Sequence, residues 1–118
     1  MSDVATLDNE LNQMVLNGQA MEAFEKYYAE DVVMQENKND PVVGKDANRK
    51  REEEFFASIE EFHGAGVVGV GVTGNHAYSE WWMDVTLKGV GRTRMEQVTA
   101  RVWKDGLVVS ERFYYDAA

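Results

Sequence analysis

Apolar residues recur at helical spacing through the first half of the chain and alternate with polar residues through the second half. The first helical stripe consists of Val4, Leu7, Leu11, Met14 and Val15. Asp3 or Thr6 can cap the start of this helix, and Asn17-Gly18 is a natural stop. The pattern therefore predicts a first helix between these two signals.

A second helix is predicted next, leading directly into a strand. Its apolar stripe consists of Ala20, Met21, Phe24, Tyr27 and Tyr28. Asp31 and the pair Val32-Val33 are predicted to end this helix, because β-branched side chains favour strands. The polar residues 37–40 and the following Pro41 then predict a loop.

A third helix is predicted from about residue 47 to residue 61, with Asp46 as its cap. Its inward face consists of Phe55, Phe56, Ile59 and Phe62. The charged run at residues 49–54 is interpreted as a face in contact with water, since such runs on helices are usually solvated.

The rest of the chain predicts strands, at residues 64–74, 78–87, 93–103 and 107–115. Gly89 and Gly91 mark one turn between them, and Asp105-Gly106 marks the last. Helices followed by a meandering sheet are typical of an α+β domain. We therefore expect a cone-shaped, curved, mostly antiparallel sheet wrapped around three N-terminal helices, with an internal pocket. The 118 residues are expected to form one domain, 1–118.

Five glycines lie between residues 64 and 74, and Gly64, Gly66 and Gly69 have the spacing of a dinucleotide-binding fingerprint. That loop needs a strand before it and a helix after it, whereas here a predicted helix precedes and a valine-rich strand follows. The glycines are therefore interpreted as part of a bent or bulged strand.

The charge of the chain limits its partners. Lys plus Arg total 12 against 21 Asp plus Glu, giving a formal net charge of -9 that repels nucleic acids and anionic membranes. Neither is expected as a partner. The absence of cysteine excludes thiolate metal sites, and His63 and His76 lack the spacing of metal ligands, so no metal is predicted. No leader or long apolar segment is visible, so a cytoplasmic location is expected.

Two segments resemble the nuclear transport factor 2-like superfamily, which includes ketosteroid isomerase and the SnoaL-like polyketide cyclases. Residues 18–36, which end in YAEDVVMQE, are similar to its helix-to-strand passage. Residues 103–116, WKDGLVVSERFYYD, are similar to its closing hairpin. The resemblance implies this superfamily's cystatin-like fold over nearly the whole chain. The superfamily contains both enzymes and binding proteins, so the resemblance supports the fold more than an activity.

The resemblance places Glu36 at the position of the proton-shuttling aspartate of ketosteroid isomerase. A carboxylate in a partly apolar cavity loses solvation, so its pKa rises and it can exchange a proton near neutral pH. We therefore predict Glu36 as the catalytic acid/base. The two oxyanion donors of ketosteroid isomerase are replaced by Leu11 and Thr99, which argues against steroid isomerisation.

Alternation along the last two strands predicts which side chains point inward. With Thr99 inward, the same face carries Gln97, Arg101 and Trp103. The inward set of the closing strand is Val109, Glu111, Phe113 and Tyr115, and the outward set is Val108, Ser110, Arg112 and Tyr114. Arg101 can pair with Glu36 or Glu111, or it can bind an oxygen of a ligand.

The strand at residues 78–87 has large side chains on both faces. Comparison with ketosteroid isomerase favours Trp82 and Asp84 toward the pocket, whereas binary patterning favours Trp81 and Met83. We predict the Trp82 and Asp84 face. The large side chains left on the outer face predict a homodimer that forms through the outside of the sheet.

These residues support two main hypotheses. The first is a cofactor-independent isomerase, cyclase or hydratase acting on an apolar or amphipathic carbonyl compound. Its predicted catalytic residue is Glu36, and its predicted substrate-binding residues are Trp82, Asp84, Thr99, Arg101, Glu111 and Tyr115. The alternative is a non-catalytic ligand-binding or dimerisation module in which Glu36, Arg101 and Glu111 form a structural network. Nothing in the sequence favours a third possibility, an accessory domain of a larger complex.

Overall fold

The computed structural model describes residues 3–116, which form three helices and six strands. The helices are α1 (Val4–Leu16), α2 (Ala20–Tyr27) and α3 (Lys45–Ala57). The strands are β1 (Tyr28–Glu36), β2 (Val42–Val43), β3 (Ile59–Thr73), β4 (His76–Leu87), β5 (Gly91–Lys104) and β6 (Leu107–Tyr114). The predicted α+β class is confirmed, and β2 was not predicted.

The first helix has the predicted start and stop. The Asp3 carboxylate accepts a hydrogen bond from the Thr6 backbone N–H at 2.8 Å, so Asp3 is the cap. Gly18 adopts a φ of 81°, a conformation that glycine reaches without strain. The second helix ends at Tyr27, earlier than the predicted stop at Asp31. The strand begins at Tyr28 because this residue already pairs with Val108 of β6.

The third helix is displaced toward the N-terminus relative to the prediction. Gly44, with a φ of 99°, is its N-cap, and Asp46 instead pairs with Arg49 at 2.6 Å. The helix ends before residues 59–61, which form the start of β3. The helix ends here because of a tertiary contact, in which Ile59 pairs with Leu87 at the far end of β4.

All six strands form one sheet in the order β2-β1-β6-β5-β4-β3. The pairing of β1 with β6 is parallel, and the other pairings are antiparallel. The helices pack on one side of this curved sheet, so the predicted architecture is confirmed. The main core is made by Leu11 of α1, Phe24 and Tyr27 of α2, Met34 of β1 and Trp103 of β5, all 3 % exposed or less.

The glycine-rich segment is part of strand β3, as predicted, and the pairing of β3 with β4 shifts register at three places. One shift lies between Phe62 and Gly64, and another between Val67 and Gly69. A Cβ at Gly66 would lie 2.5 Å from Nε1 of Trp82, so this position has no room for a side chain. The glycines therefore let Trp82 lie flat against the bent strand.

Candidate functional site

A cavity of about 350 Å³ lies between the helices and the sheet. Its volume falls in the range of small-molecule sites, roughly 300–1,000 Å³. The apolar part of its wall includes Phe24, Phe55, Phe56, Trp81, Met83 and Met95. The polar part includes Glu36, Arg51, Glu52, Arg101, Glu111 and Tyr115. An apolar wall that also carries several polar groups suits a ligand that is mostly hydrophobic and has a polar atom.

The structure brings most of the predicted site residues to this cavity. Those that line it are Glu36, Trp82, Thr99, Arg101, Glu111 and Tyr115. Asp84 does not line the cavity. Its carboxylate instead pairs with the Arg92 guanidinium at 2.9 Å, which lowers the pKa of Asp84 below its usual value.

The register between β4 and β5 shows why the prediction for Asp84 is wrong. Trp81 pairs with Gln97 and Met83 pairs with Met95, and all four line the cavity. Asp84 pairs with Arg94 and therefore belongs to the outer face. The inward face of β4 is thus the one that binary patterning favoured.

Trp82 is on the outward register of β4 but still borders the cavity. Its ring covers Gly64 and Gly66 of β3, which have no side chains to keep it away. The Arg94 guanidinium lies 4.9 Å from the ring centroid of Trp82, a cation–π distance.

The inward face of β5 is as predicted, since Thr99, Arg101 and Trp103 are all buried. On β6 the prediction that Val108 points outward is wrong, because Val108 is fully buried. A register shift between Val102 and Trp103 pairs Trp103 with Val108. Simple alternation could not show this irregularity, which moves the start of β6 by one residue.

Glu36 lies at the end of β1, and its side chain is 40 % exposed. Its Oε1 accepts a hydrogen bond from the Tyr115 hydroxyl at 2.9 Å. Its Oε2 lies 3.5 Å from Nη1 of Arg51. Burial and the Glu36 carboxylate raise the pKa of Tyr115, so this hydroxyl stays protonated as a donor. Both oxygens of Glu36 are therefore occupied by protein groups.

Glu52 is a cavity residue that the sequence interpretation missed, because it belongs to the charged run assigned to water. Its side chain is 19 % exposed, and its Oε1 lies 3.2 Å from Nη2 of Arg51. Burial raises the pKa of Glu52 to about 7, and the Arg51 charge opposes this shift. Helical spacing could have indicated it, since residues 52, 55 and 56 share one helix face, the face of Phe55 and Phe56.

A buried network holds Arg101, whose side chain is 4 % exposed. Its Nε donates to Glu111 at 2.7 Å, and its Nη1 donates to Asp8 at 3.0 Å and to Asn12 at 2.6 Å. Trp103 Nε1 also donates to Asp8 at 3.0 Å. Burial alone would lower the pKa of Arg101, but the Glu111 charge raises it, so the guanidinium stays charged.

The network differs from the predicted one in its members. Glu111 belongs to it, whereas Glu36 does not and pairs with Arg51 instead. Asp8 and Asn12 were missed, although they lie four residues apart on α1 and thus share one helix face, which is buried. The hydroxyl of Tyr28 also donates to Glu111, and burial and the Glu111 charge raise the pKa of this phenol well above its usual value.

Over residues 3–116, no group of three or more His, Cys, Asp or Glu side chains is placed to hold a metal ion. Nε2 of His63 lies 2.8 Å from the Thr86 hydroxyl. Within the same range, none of the helices has the length and apolar character needed to cross a membrane.

Residues 3–115 match the family model described as the SnoaL-like domain. The chain belongs to this family. No curated protein matches the sequence.

Solved structures support the assignment of this SnoaL-like domain. A candidate SnoaL-like polyketide cyclase from Mesorhizobium loti is 30% identical with a TM-score of 0.88, covering 97% of this chain and 100% of that chain. A candidate SnoaL-like polyketide cyclase from Jannaschia sp. CCS1 is 15% identical with a TM-score of 0.80. The match covers 98% of this chain and 90% of that chain. A protein from Xanthomonas campestris with a cystatin-like fold is 12% identical with a TM-score of 0.84. The match covers 99% of this chain and 92% of that chain. The last two similarities show the fold alone.

The SnoaL-like domain has cavity residues at both positions that the resemblance assigned to oxyanion donors. Leu11 and Thr99 line the cavity, and the Thr99 hydroxyl lies 2.9 Å from the hydroxyl of Ser79. The leucine side chain has no hydrogen-bond donor, and the Thr99 hydroxyl already has a hydrogen-bond partner in Ser79. The cavity hydroxyls of Tyr28 and Tyr115 both donate to protein carboxylates. The polar chemistry of this cavity therefore centres on its carboxyl and guanidinium groups.

Proposed function

We propose that this SnoaL-like domain binds a small apolar or amphipathic carbonyl compound in its cavity. We further propose that a cavity carboxyl group exchanges a proton with this compound, without a cofactor, in a reaction of isomerase, cyclase or hydratase type. The supporting observation is the cavity of about 350 Å³, whose wall combines aromatic and methionine side chains with the carboxyl groups of Glu36 and Glu52. Such a site can desolvate a carbonyl compound and hold its oxygen against a proton donor.

The other predicted site residues have roles that follow from their positions. Thr99, Glu111 and Tyr115 contribute polar atoms to the wall, and Trp82 contributes an aromatic edge. Nε and Nη1 of Arg101 are engaged by protein groups, whereas its Nη2 makes no hydrogen bond within residues 3–116. Arg101 therefore orients a ligand oxygen through Nη2 in this proposal.

A second candidate function is a non-catalytic ligand-binding or dimerisation module. One observation favours it: Arg101 and Glu111 bond to each other and to Asp8, Asn12 and Tyr28, so both have a structural role that requires no ligand. In this reading the network fixes α1 against β5 and β6, and the cavity holds a ligand without transforming it.

We also propose that two copies pair through the outer face of the sheet. Tyr78, Val98 and Tyr114 are large apolar side chains of β4, β5 and β6, and each is at least 39% exposed. The register places Val98 between Glu80 and Tyr114, and Tyr78 lies two residues from Glu80 on the same face of β4, so the three apolar side chains share the outward face. Exposed apolar side chains on one face of an otherwise acidic protein suit burial against a second copy.

Binding to the cavity is tested with 1-acetylnaphthalene, a neutral aromatic ketone, through the fluorescence of Trp81 and Trp82, which line the cavity. Wild-type protein should show saturable quenching. Ala20→Phe places a ring at a cavity-lining position and should weaken binding at least tenfold, because it fills the space that the ketone needs.

The matched control is Ala5→Phe, which adds the same ring at an exposed position of α1. It should bind like the wild type. Equal quenching of the wild type and Ala20→Phe would show that the ketone does not occupy the cavity, and would remove the support for the proposed function.

A further inference from the structure

Within residues 3–116, both guanidinium groups that line the cavity already face carboxylates, so neither positive charge is uncompensated. Arg101 already bonds to the carboxylates of Glu111 and Asp8. Arg51 lies between Glu36 at 3.5 Å and Glu52 at 3.2 Å. In the part of the chain that the structure describes, each of these two guanidinium groups thus faces two carboxyl groups. An added carboxylate or phosphate would meet an excess of negative charge, so the arrangement favours a neutral ligand.

The two carboxyl groups beside Arg51 differ in whether an oxygen atom is left without a hydrogen bond. Both oxygens of Glu36 are engaged, Oε1 by Tyr115 and Oε2 by Arg51. Oε1 of Glu52 accepts from Arg51, whereas its Oε2 has no hydrogen-bond partner anywhere in residues 3–116. Glu52 is also the less exposed of the two, at 19% against 40%. A ligand oxygen in the cavity therefore meets an unpartnered carboxyl oxygen at Glu52, whereas each oxygen of Glu36 already has a protein donor.

We propose, building on the function proposed above, that Glu52 is the residue that exchanges a proton with the carbonyl oxygen of a neutral ligand, while Glu36 is a positioning residue that holds Arg51. In the forward step the O–H bond of the Glu52 carboxylic acid breaks and an O–H bond forms on the ligand oxygen. The negative charge left on Glu52 lies 3.2 Å from Nη2 of Arg51, which stabilises it until the proton returns.

The charged and titratable groups around Glu52 come from four elements. They are Arg51 of α3, Glu36 and Tyr28 of β1, Arg101 of β5 and Glu111 of β6. Burial makes the largest contribution to the raised pKa of Glu52, and the charges of Glu111 and Glu36 add to it. The charges of Arg51 and Arg101 oppose this rise, and the resulting pKa is about 7. Both the acid and the carboxylate are therefore populated near neutral pH, as a group that gives and retakes a proton requires.

The inference is tested by measuring the affinity for 1-acetylnaphthalene between pH 5.5 and pH 8.5, again by tryptophan fluorescence. The wild type should bind about tenfold more tightly at pH 5.5, where Glu52 is a hydrogen-bond donor, than at pH 8.5, where its carboxylate faces the ketone oxygen. Glu52→Gln keeps an N–H donor but does not titrate, so its affinity should not change over this range. 1-Naphthoate, which has the same ring system with a carboxylate, should bind at least tenfold more weakly than the ketone at pH 7.

Two further variants complete the design. Glu36→Gln should retain the pH dependence, since Glu52 is unchanged, and Glu53→Gln is the matched control at the exposed neighbouring position. If the ketone binds but Glu52→Gln keeps the wild-type pH dependence, the assignment to Glu52 is overturned and the proposed function stands. The charge argument is overturned if naphthoate binds as tightly as the ketone. If the ketone binds to no variant at any pH, the proposed function fails and the inference fails with it.

Discussion

Replacing Arg101 by methionine is expected to destabilise the folded protein by about 3–5 kcal/mol at pH 7. Arg101 is 4% exposed and bonds to two carboxylates, Glu111 and Asp8, which are themselves 2% and 1% exposed. Methionine fills similar space but leaves both carboxylates buried without a positive partner, which costs far more than the loss of an exposed pair. Urea denaturation followed by circular dichroism measures the change.

Arg92→Met is the matched control, because Arg92 pairs with Asp84 at 2.9 Å but its side chain is 65% exposed. Exposed ion pairs contribute about 1 kcal/mol or less, so this variant should remain close to the wild type. The loss in Arg101→Met should become smaller at pH 4, where the stranded carboxylates take up protons. An unchanged or raised denaturation midpoint in Arg101→Met would show that the buried network does not stabilise the fold.

The second large effect is expected from Glu52→Gln, which should change the free energy of unfolding by an amount that depends on pH. The folded protein raises the pKa of Glu52 from 4.5 to about 7, so folding favours the protonated form. The wild type therefore loses stability from this group as the pH rises through the interval between 4.5 and 7, because the unfolded chain ionises first. A glutamine side chain is neutral at every pH in this range, so the variant does not lose this stability as the pH rises.

At pH 8 Glu52→Gln is thus expected to be more stable than the wild type by about 2–3 kcal/mol, and at pH 4 the two should be nearly equal. Thermal and urea denaturation at both pH values measure the difference. Glu53→Gln removes a carboxylate at the exposed neighbouring position and should show no such pH-dependent gain. If the difference between Glu52→Gln and the wild type is the same at pH 4 and pH 8, the carboxyl group of Glu52 is not held in a desolvating environment.

The sequence predicted the architecture well because the fold rests on strong local signals. The apolar stripe of α1 ends at Asn17-Gly18, and the alternation of β5 gives the correct inward face through Thr99, Arg101 and Trp103. These patterns depend on the period of one element and on its burial on one side. The parallel pairing of β1 with β6 was not predicted, because the periodicity of one segment does not show which strands are neighbours in the sheet.

The errors arose where tertiary pairing overrides local preference. Residues 59–61 were assigned to the third helix but pair with the end of β4. Val108 was assigned outward, but a register shift after Val102 buries it. A bulge or an early strand start is set by the partner strand, so neither can be seen in the pattern of one segment.

The candidate site was predicted in part. The structure places Glu36 and Arg101 at the cavity and pairs Arg101 with Glu111, one of its two predicted partners. Arg51 and Asp8 were not predicted as partners, because both lie on helices far from Glu36 and Arg101 in sequence. Glu52 was hidden in a charged run because sequence alone does not show that one side of the run turns toward the cavity. Charge patterns describe a helix surface, whereas the burial of one carboxyl group depends on what packs over it.

The central claim is that the cavity between the helices and the sheet is the ligand site, and methionine methyl groups report on it directly. Met21, Met83 and Met95 line the cavity, whereas Met14 of α1 does not. The measurement is a titration of ¹³C-methyl-methionine protein with 1-acetylnaphthalene, followed by NMR. The account predicts saturable shifts of the Met21, Met83 and Met95 signals with one common affinity and little change at Met14. Shifts confined to Met14, or no saturable shift of the three cavity methyl groups, would contradict it.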